Sequence, residues 1–320
     1  MKYRRLGNTG LDVSALSFGA SSLGGVFRDV PKAEGIRTVH TAIDMGINLL
    51  DVSPYYGLTK AETMLGEALR TVSRDRYILS TKAGRYGQEE FDFSKDRVIR
   101  SAEESMRRLG TDYLDILLLH DIEFSSLEQV LEEGIPALEQ LKKSGKIRFF
   151  GVSGLPLDIF ESVLSRTALD IALSYCHYSL NDTSLLGLLP LMEWRGAGLI
   201  NASPLSMGLL SGSDVPGWHP AGEDIRAACR LAAEHCRSRG ADIAKLAIQF
   251  STANERIPTT LVSTATPENI RNNILWMEEP LDEQLLQEVL EILKPIEGKT
   301  WPSGRPEWSG AWTGQNGGQS

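Results

Sequence analysis

The sequence predicts an α/β protein of the (β/α)8 TIM-barrel class, and three observations carry that prediction. Short β-type runs alternate with longer helical patterns along nearly the whole chain. The strand runs are continuously apolar, as expected of parallel strands covered on both faces. No G-x-G-x-x-G follows any strand, so the fingerprint of a doubly wound dinucleotide-binding sheet is missing.

Taken in order, Tyr3 to Phe18 reads as a hairpin around Asn8-Thr9-Gly10 and ends in the first barrel strand at Ser17-Phe18-Gly19. Ala33 to Gly46 is a helix with apolar Ile36, Val39 and Ile43 and a glycine stop. Strands follow at 47–50, 77–81, 114–119, 147–152, 170–174, 198–202 and 258–262. Helices alternate with them at 61–72, 94–109 (Ser94 capping, Gly110 ending), 127–144, 157–165, 183–195, 242–252 and 267–276. Eight strand–helix units with no linker between them predict a single domain over 1–320. Two helical stretches, 221–239 and 282–293, are extra to the repeat. From about 295 the chain is rich in Gly, Pro, Ser and Trp and reads as an irregular tail.

Composition narrows the function class. The 320 residues carry 33 basic and 42 acidic side chains, a formal charge of −9. That balance argues against non-specific nucleic-acid binding or an anionic membrane surface, and for a small-molecule ligand. The N-terminus lacks the apolar core of a signal peptide, and no run is long enough to span a bilayer, so a cytoplasmic location is expected. Three cysteines without a CxxC fit a reducing compartment. Cys229 and Cys236 share one helix face, which reads as core packing; no metal is expected. Oligomeric state is not legible.

In this barrel the active site lies at the C-terminal ends of the strands. Asp51-Val52-Ser53-Pro54-Tyr55-Tyr56-Gly57 follows strand two. Lys82 ends strand three, and His120-Asp121 ends strand four. An acid, a tyrosine, a lysine and a histidine therefore converge on one rim from three neighbouring strands.

With those residues in place, the sequence resembles the aldo-keto reductases over nearly its whole length. The D-x-x-x-x-Y-G motif, the lysine and the histidine match the family's catalytic tetrad at Asp51, Tyr56, Lys82 and His120. Gly46-Ile47-Asn48, Gly145-Lys146-Ile147-Arg148 and Ser203-Pro204-Leu205 support the match. Arg85-Tyr86, the run His120 to Phe124, Gly154 to Phe160, Ser174 to Tyr178 and Trp301 to Gly304 look like the L-galactose dehydrogenase subgroup. That subgroup oxidises the C1 hydroxyl of its sugar to a lactone with NAD.

The resemblance implies specific roles. Tyr56 would move the proton while hydride passes to the nicotinamide, its pKa lowered from about 10 by the Lys82 ammonium. Asp51 would hold Lys82 charged, and His120 would hydrogen-bond the substrate oxygen. Ser203, Leu205, Gly208 and Leu210 match the pyrophosphate loop. Ser263 and Asn269 stand where members using NADP place cations for the 2′-phosphate, which favours NAD. Asn273 matches an adenine contact, or is an ordinary exposed helix residue. At the nicotinamide end Ser153 matches, while Gly154, Tyr175 and Ala202 depart from the usual asparagine, glutamine and aromatic; Tyr175 is the candidate to pack on the ring. Tyr55, Tyr86, Asp121 and Trp301 are the candidate sugar contacts, Asp121 alternatively capping the next segment. Trp308 and Trp312 read as surface or partner-packing residues. The tetrad does not separate L-galactose from L-fucose, D-arabinose or the hemiacetal of pyridoxal. A nucleotide-binding regulatory subunit with little turnover is the rival from another class.

Overall fold

The computed structural model describes residues 1–26 and 28–308. β1 (Tyr3–Arg5) and β2 (Asp12–Ser14) pair antiparallel, Tyr3 opposite Ser14, through a 3-10 turn over Gly7–Thr9 that ends at Gly10 in the left-handed region. Leu6, Leu11 and Val13 are buried among the residues that fill the barrel interior. The hairpin therefore plugs the floor of the barrel.

Eight parallel strands form the closed wall: β3 (Leu16–Gly19), β4 (Leu49–Asp51), β5 (Ile78–Ala83), β6 (Leu114–Leu119), β7 (Ile147–Gly154), β8 (Ile171–Tyr175), β9 (Gly198–Ala202) and β10 (Thr259–Ser263). β10 pairs with β3, Thr260 beside Leu16, and closes the ring. Side chains alternate in and out along each strand. Leu49, Ile78, Ile116, Leu118, Ile171, Leu173, Ile200 and Leu261 fill the interior. Leu50, Leu79, Leu117, Leu119 and Val152 face outward into the larger core beneath the helices.

The helices are α1 (Lys32–Asp44), α2 (Lys60–Leu69), α3 (Lys95–Leu109), α4 (Leu127–Gln129), α5 (Ile135–Lys143), α6 (Leu157–Leu164), α7 (Leu189–Arg195), α8 (Glu223–Ser238), α9 (Ile243–Ala253), α10 (Pro267–Glu278) and α11 (Glu283–Leu293). α8 and α11 are the two extra helices. They share a second core, with Cys229 and Cys236 buried on the same face.

Four differences from the sequence reading have physical causes. The helix expected over 127–144 is split by a π turn at Val130–Gly134. Pro136 has no N–H, and its ring would crowd the carbonyl of Glu132, so the wider turn absorbs it. The helix expected over 183–195 starts as a 3-10 segment, Ser184–Leu188, and becomes α-helical only where Pro190 fits the first turn. β4 runs on to Asp51 and β7 to Gly154, so these rim residues lie within the wall. Trp308, expected as a surface or partner-packing residue, is half-buried against the main core; Trp312 lies outside the described residues.

Candidate active site

The polar rim continues the same inward files that are apolar lower down. Ile78, Ser80 and Lys82 point inward along β5, and register places Ser80 beside Asp51 of β4. Ser80 donates to Asp51 Oδ1 at 2.8 Å, while the Lys82 ammonium donates to Asp51 Oδ2 and to the carbonyl of Val52 at 3.0 Å. Lys82 is only 1% exposed. Burial works against its charge, but attraction to Asp51 and to Tyr56 outweighs burial and raises its pKa. Lys82 therefore stays an ammonium.

Tyr56 sits on the loop after β4, its hydroxyl hydrogen-bonded to Lys82 and its ring centroid 4.9 Å from the ammonium. Gly57 fixes that loop. It has φ +61°, and a Cβ there would lie 2.1 Å from the carbonyl oxygen of Gly24. The expected lowering of the Tyr56 pKa is corrected by the structure. Burial raises it, and the pull of Lys82 offsets only part of that, because Asp51 already balances the lysine charge. Tyr56 thus begins as a neutral hydroxyl.

His120 follows β6, its backbone N–H bonded to Ala83 at 2.8 Å and its ring 5.5 Å from that of Tyr56, edge to face. Burial, then Lys82 and Arg85, hold its pKa well below the ordinary value, so the ring is neutral. Its Nδ1 lies 2.9 Å from Ser53 Oγ, and Ser53 already accepts from the Tyr55 N–H at 3.1 Å. The serine proton is free to go to Nδ1. With Ser53 donating to Nδ1, the ring proton lies on Nε2, 3.7 Å from the Asp121 Oδ2 acceptor. The site therefore offers a neutral N–H donor next to a neutral phenol backed by a fixed cation.

Around this centre, Tyr55 lies 6.0 Å from His120, ring to ring. Asp121 adopts a left-handed conformation, φ 52°, and pairs with Arg85 at 2.5 Å. Burial raises its carboxyl pKa, and Arg85 restrains that rise. The Tyr175 hydroxyl faces the same carboxylate; burial and the nearby acids hold that phenol well above its usual pKa. Behind them, Glu123 Oε1 accepts from the Leu155 N–H at 3.1 Å and from the Ser303 hydroxyl at 2.7 Å. Burial, then the Asp121 charge, push its carboxyl up to about 8. Gly154 and Gly304 make room for it. A Cβ on Gly154 would sit 2.5 Å from Glu123 Oε2, and one on Gly304 2.6 Å from the Glu123 carbonyl.

Two of the candidate sugar contacts are engaged by protein partners. Tyr86 is buried, its hydroxyl accepts from the Gly84 N–H at 3.0 Å, and its ring lies under Arg97 at 3.6 Å, so it braces the start of the loop after β5. Trp301 is buried in the second core, edge to face with His219 at 4.9 Å. It anchors the tail there.

The cofactor candidates form a second arc. Ser203, Ser206 and Met207 all have positive φ without being glycines, and Gly208 has φ +108°, a concentration of backbone strain typical of ligand-binding loops. Leu205 and Leu210 close this loop by a backbone bond at 3.1 Å. Its underside is clamped. Ser206 donates to Asn181 at 2.6 Å, and His219 Nε2 meets the Ser206 carbonyl at 3.0 Å while its Nδ1 accepts from the Ala221 N–H. Ser153 donates to the Leu119 carbonyl at 3.2 Å. Ser263 binds the hydroxyls of Ser21 and Ser22, each at 2.8 Å, and Asn269 donates to Thr264 at 3.2 Å. Asn273 is buried, which removes its reading as an exposed helix residue. Arg28 reaches Thr266 at 3.3 Å, a cation at this end that the linear sequence did not reveal, and Glu34 balances it at 2.5 Å. A strained loop, a hydroxyl- and amide-lined far end and the donor rim fit a nicotinamide dinucleotide.

Sequence reasoning missed Ser53, Arg85 and Glu123 as site residues. Arg85 and Glu123 lay inside matched motifs, and only their spatial partners reveal what they do.

Comparison with known proteins agrees with this geometry. The aldo/keto reductase family model matches residues 15–294. The L-galactose dehydrogenase of Arabidopsis thaliana is 49% identical over 95% of this chain and 98% of its own length. The D-arabinose 1-dehydrogenase of Saccharomyces cerevisiae is 36% identical over 75% of each. The holo form of an aldo-keto reductase from Bacillus halodurans superposes with a TM-score of 0.78 at 26% identity, covering 94% of this chain and 98% of that one. The chain belongs to the aldo/keto reductase family, and it is a nicotinamide-dependent oxidoreductase acting on CH–OH groups.

Proposed function

We propose that this protein oxidises the C1 hydroxyl of an aldose to the lactone, with L-galactose as the preferred sugar and NAD as the cofactor. The observation that carries the reading is the rim itself, where Tyr56, Lys82, Asp51 and His120 converge. The 49% identity to an L-galactose dehydrogenase supports the choice of sugar.

Each residue has a task that follows from its surroundings. The sugar oxygen sits between the Tyr56 hydroxyl and His120 Nε2–H. His120 donates to it and holds it in line, because a neutral ring with Nδ1 occupied by Ser53 has its one proton on Nε2. Tyr56 gives up its own proton to solvent, at a cost that the Lys82 charge reduces, and the resulting phenolate takes the proton of the C1 hydroxyl as hydride leaves C1. Asp51, fixed by Ser80, keeps Lys82 aimed. The bound nicotinamide supplies the hydride acceptor. Tyr175 would pack beside it and Ser153 would hold the same end; Ser203, Leu205, Gly208 and Leu210 would hold the pyrophosphate; Ser263, Asn269 and Asn273 would hold the adenosine end. NAD is favoured because a 2′-phosphate needs an unspent cation, and Arg28 is already paired with Glu34. Tyr55 and Asp121 contact the sugar.

On this reading the chain is one cytoplasmic domain whose partners are small molecules, with no role for nucleic acid or membrane. Among the described residues no helix is long and apolar enough to cross a bilayer. The test is NADH or NADPH formation against L-galactose, L-fucose, D-arabinose and pyridoxal, ranked by kcat/KM. Preference for pyridoxal over every aldose refutes the sugar assignment, and faster turnover with NADP refutes the cofactor assignment. Tight cofactor binding with no turnover on any of them supports the regulatory-subunit alternative.

A further inference from the structure

Eight buried side-chain polar atoms among the described residues have no hydrogen-bond partner. Three of them, Arg85 Nε, Asp121 Oδ1 and Glu123 Oε2, fall in one cluster that starts at His120. Unsatisfied buried donors and acceptors are costly, so a concentration of them beside a reacting centre calls for a ligand that completes them. Asp121 is 3% exposed. Its Oδ2 is held by Arg85 at 2.5 Å and lies 3.7 Å from His120 Nε2, which leaves Oδ1 as a fixed acceptor next to the substrate oxygen. Arg85 is fixed in turn. Its guanidinium lies 3.8 Å over the Tyr55 ring and faces Phe91 and Phe124, which stack at 4.4 Å. Arg85 thus aims the Asp121 carboxylate, and Oδ1 is the acceptor it presents to a substrate hydroxyl.

We propose that the Arg85–Asp121 pair is a specificity subsite that reads the hydroxyl on the carbon next to the reacting one. It selects polyhydroxylated aldoses over hemiacetals that lack an adjacent hydroxyl, such as that of an aromatic aldehyde. The proposal rests on the aldose-oxidising reading above and adds a residue, Arg85, and a rule of selection to it. Glu123 completes the arrangement from behind. Kept neutral by burial, it adds no second charge to compete with Asp121 for Arg85.

The test compares kcat/KM for L-galactose with that for its 2-deoxy analogue, in the wild type, in Asp121→Asn and in Arg85→Met, with the same cofactor. The wild type is expected to prefer the 2-hydroxy sugar by about tenfold or more, as a site built to bond a hydroxyl rejects its absence. In both variants that ratio falls at least about threefold. A smaller wild-type preference overturns the proposal and needs no variant to fold. An unchanged ratio in folded variants, judged by their melting curves, also overturns it. A wild type that oxidises no aldose refutes the reading beneath; a wild type active on both sugars without preference refutes only the subsite.

Discussion

Glu123 gives a prediction whose size follows from the structure. Its carboxyl is pushed up to about 8, from an ordinary 4.5, by burial and then by Asp121. The folded protein therefore keeps a proton on Glu123 that the unfolded chain releases above pH 4.5. The stability this proton confers is complete below that pH and is lost steadily as pH rises towards 8. At about 1.4 kcal/mol per pH unit, the loss by pH 7 is at most about 3.4 kcal/mol. For a chain of this length that corresponds to about 5 °C in Tm. Glu123→Gln keeps the acceptor for Leu155 and Ser303 but carries no titrating proton. Thermal melts of both proteins from pH 5 to 8 should show the wild type losing Tm relative to the variant, by several degrees at pH 7 to 8. Parallel curves across that range would refute the assignment of a neutral buried Glu123.

Three further outcomes follow from named contacts. Ser53→Ala removes the donor that fixes the His120 ring, so kcat should fall about tenfold while cofactor affinity holds; an unchanged kcat sinks the tautomer assignment. Glu62 is fully buried and joins Thr81 at 2.7 Å to Arg108 at 2.6 Å. Glu62→Ala should cost about 3–5 kcal/mol in a denaturant titration, because Arg108 loses its buried partner, and a cost below about 1 kcal/mol would contradict that role. Tyr175→Ala should weaken cofactor binding, read by quenching of tryptophan fluorescence, and unchanged binding in a folded variant removes Tyr175 from the nicotinamide site.

Much of the fold was legible because the barrel repeats one rule eight times. Runs such as Leu114 to Leu119 are apolar on both faces, and stops such as Gly46 and Gly110 sit in the left-handed region where helices end. The π turn before α5 was not legible, since Pro136 alone does not say how the chain will absorb it. The four rim residues could be read from strand ends, because inward files of an eight-stranded barrel must meet at its mouth. Charge states could not. The Tyr56 shift depends on burial and on Asp51 having already balanced Lys82, neither of which is written in spacing. Tyr86 shows the same limit: spacing does not reveal that its hydroxyl is engaged by the Gly84 N–H. Arg85, Ser53 and Glu123 acquire meaning only through partners 36, 67 and 32 residues away.

The most direct measurement compares Tyr56→Phe with the wild type, reading reduced-cofactor formation with L-galactose alongside cofactor affinity by fluorescence titration. The ring and its packing stay, and only the proton-carrying oxygen goes. Turnover should fall by about a thousandfold or more while affinity stays within about twofold. Turnover within about tenfold of the wild type would show that the proton leaves the sugar by another route, and would contradict the account.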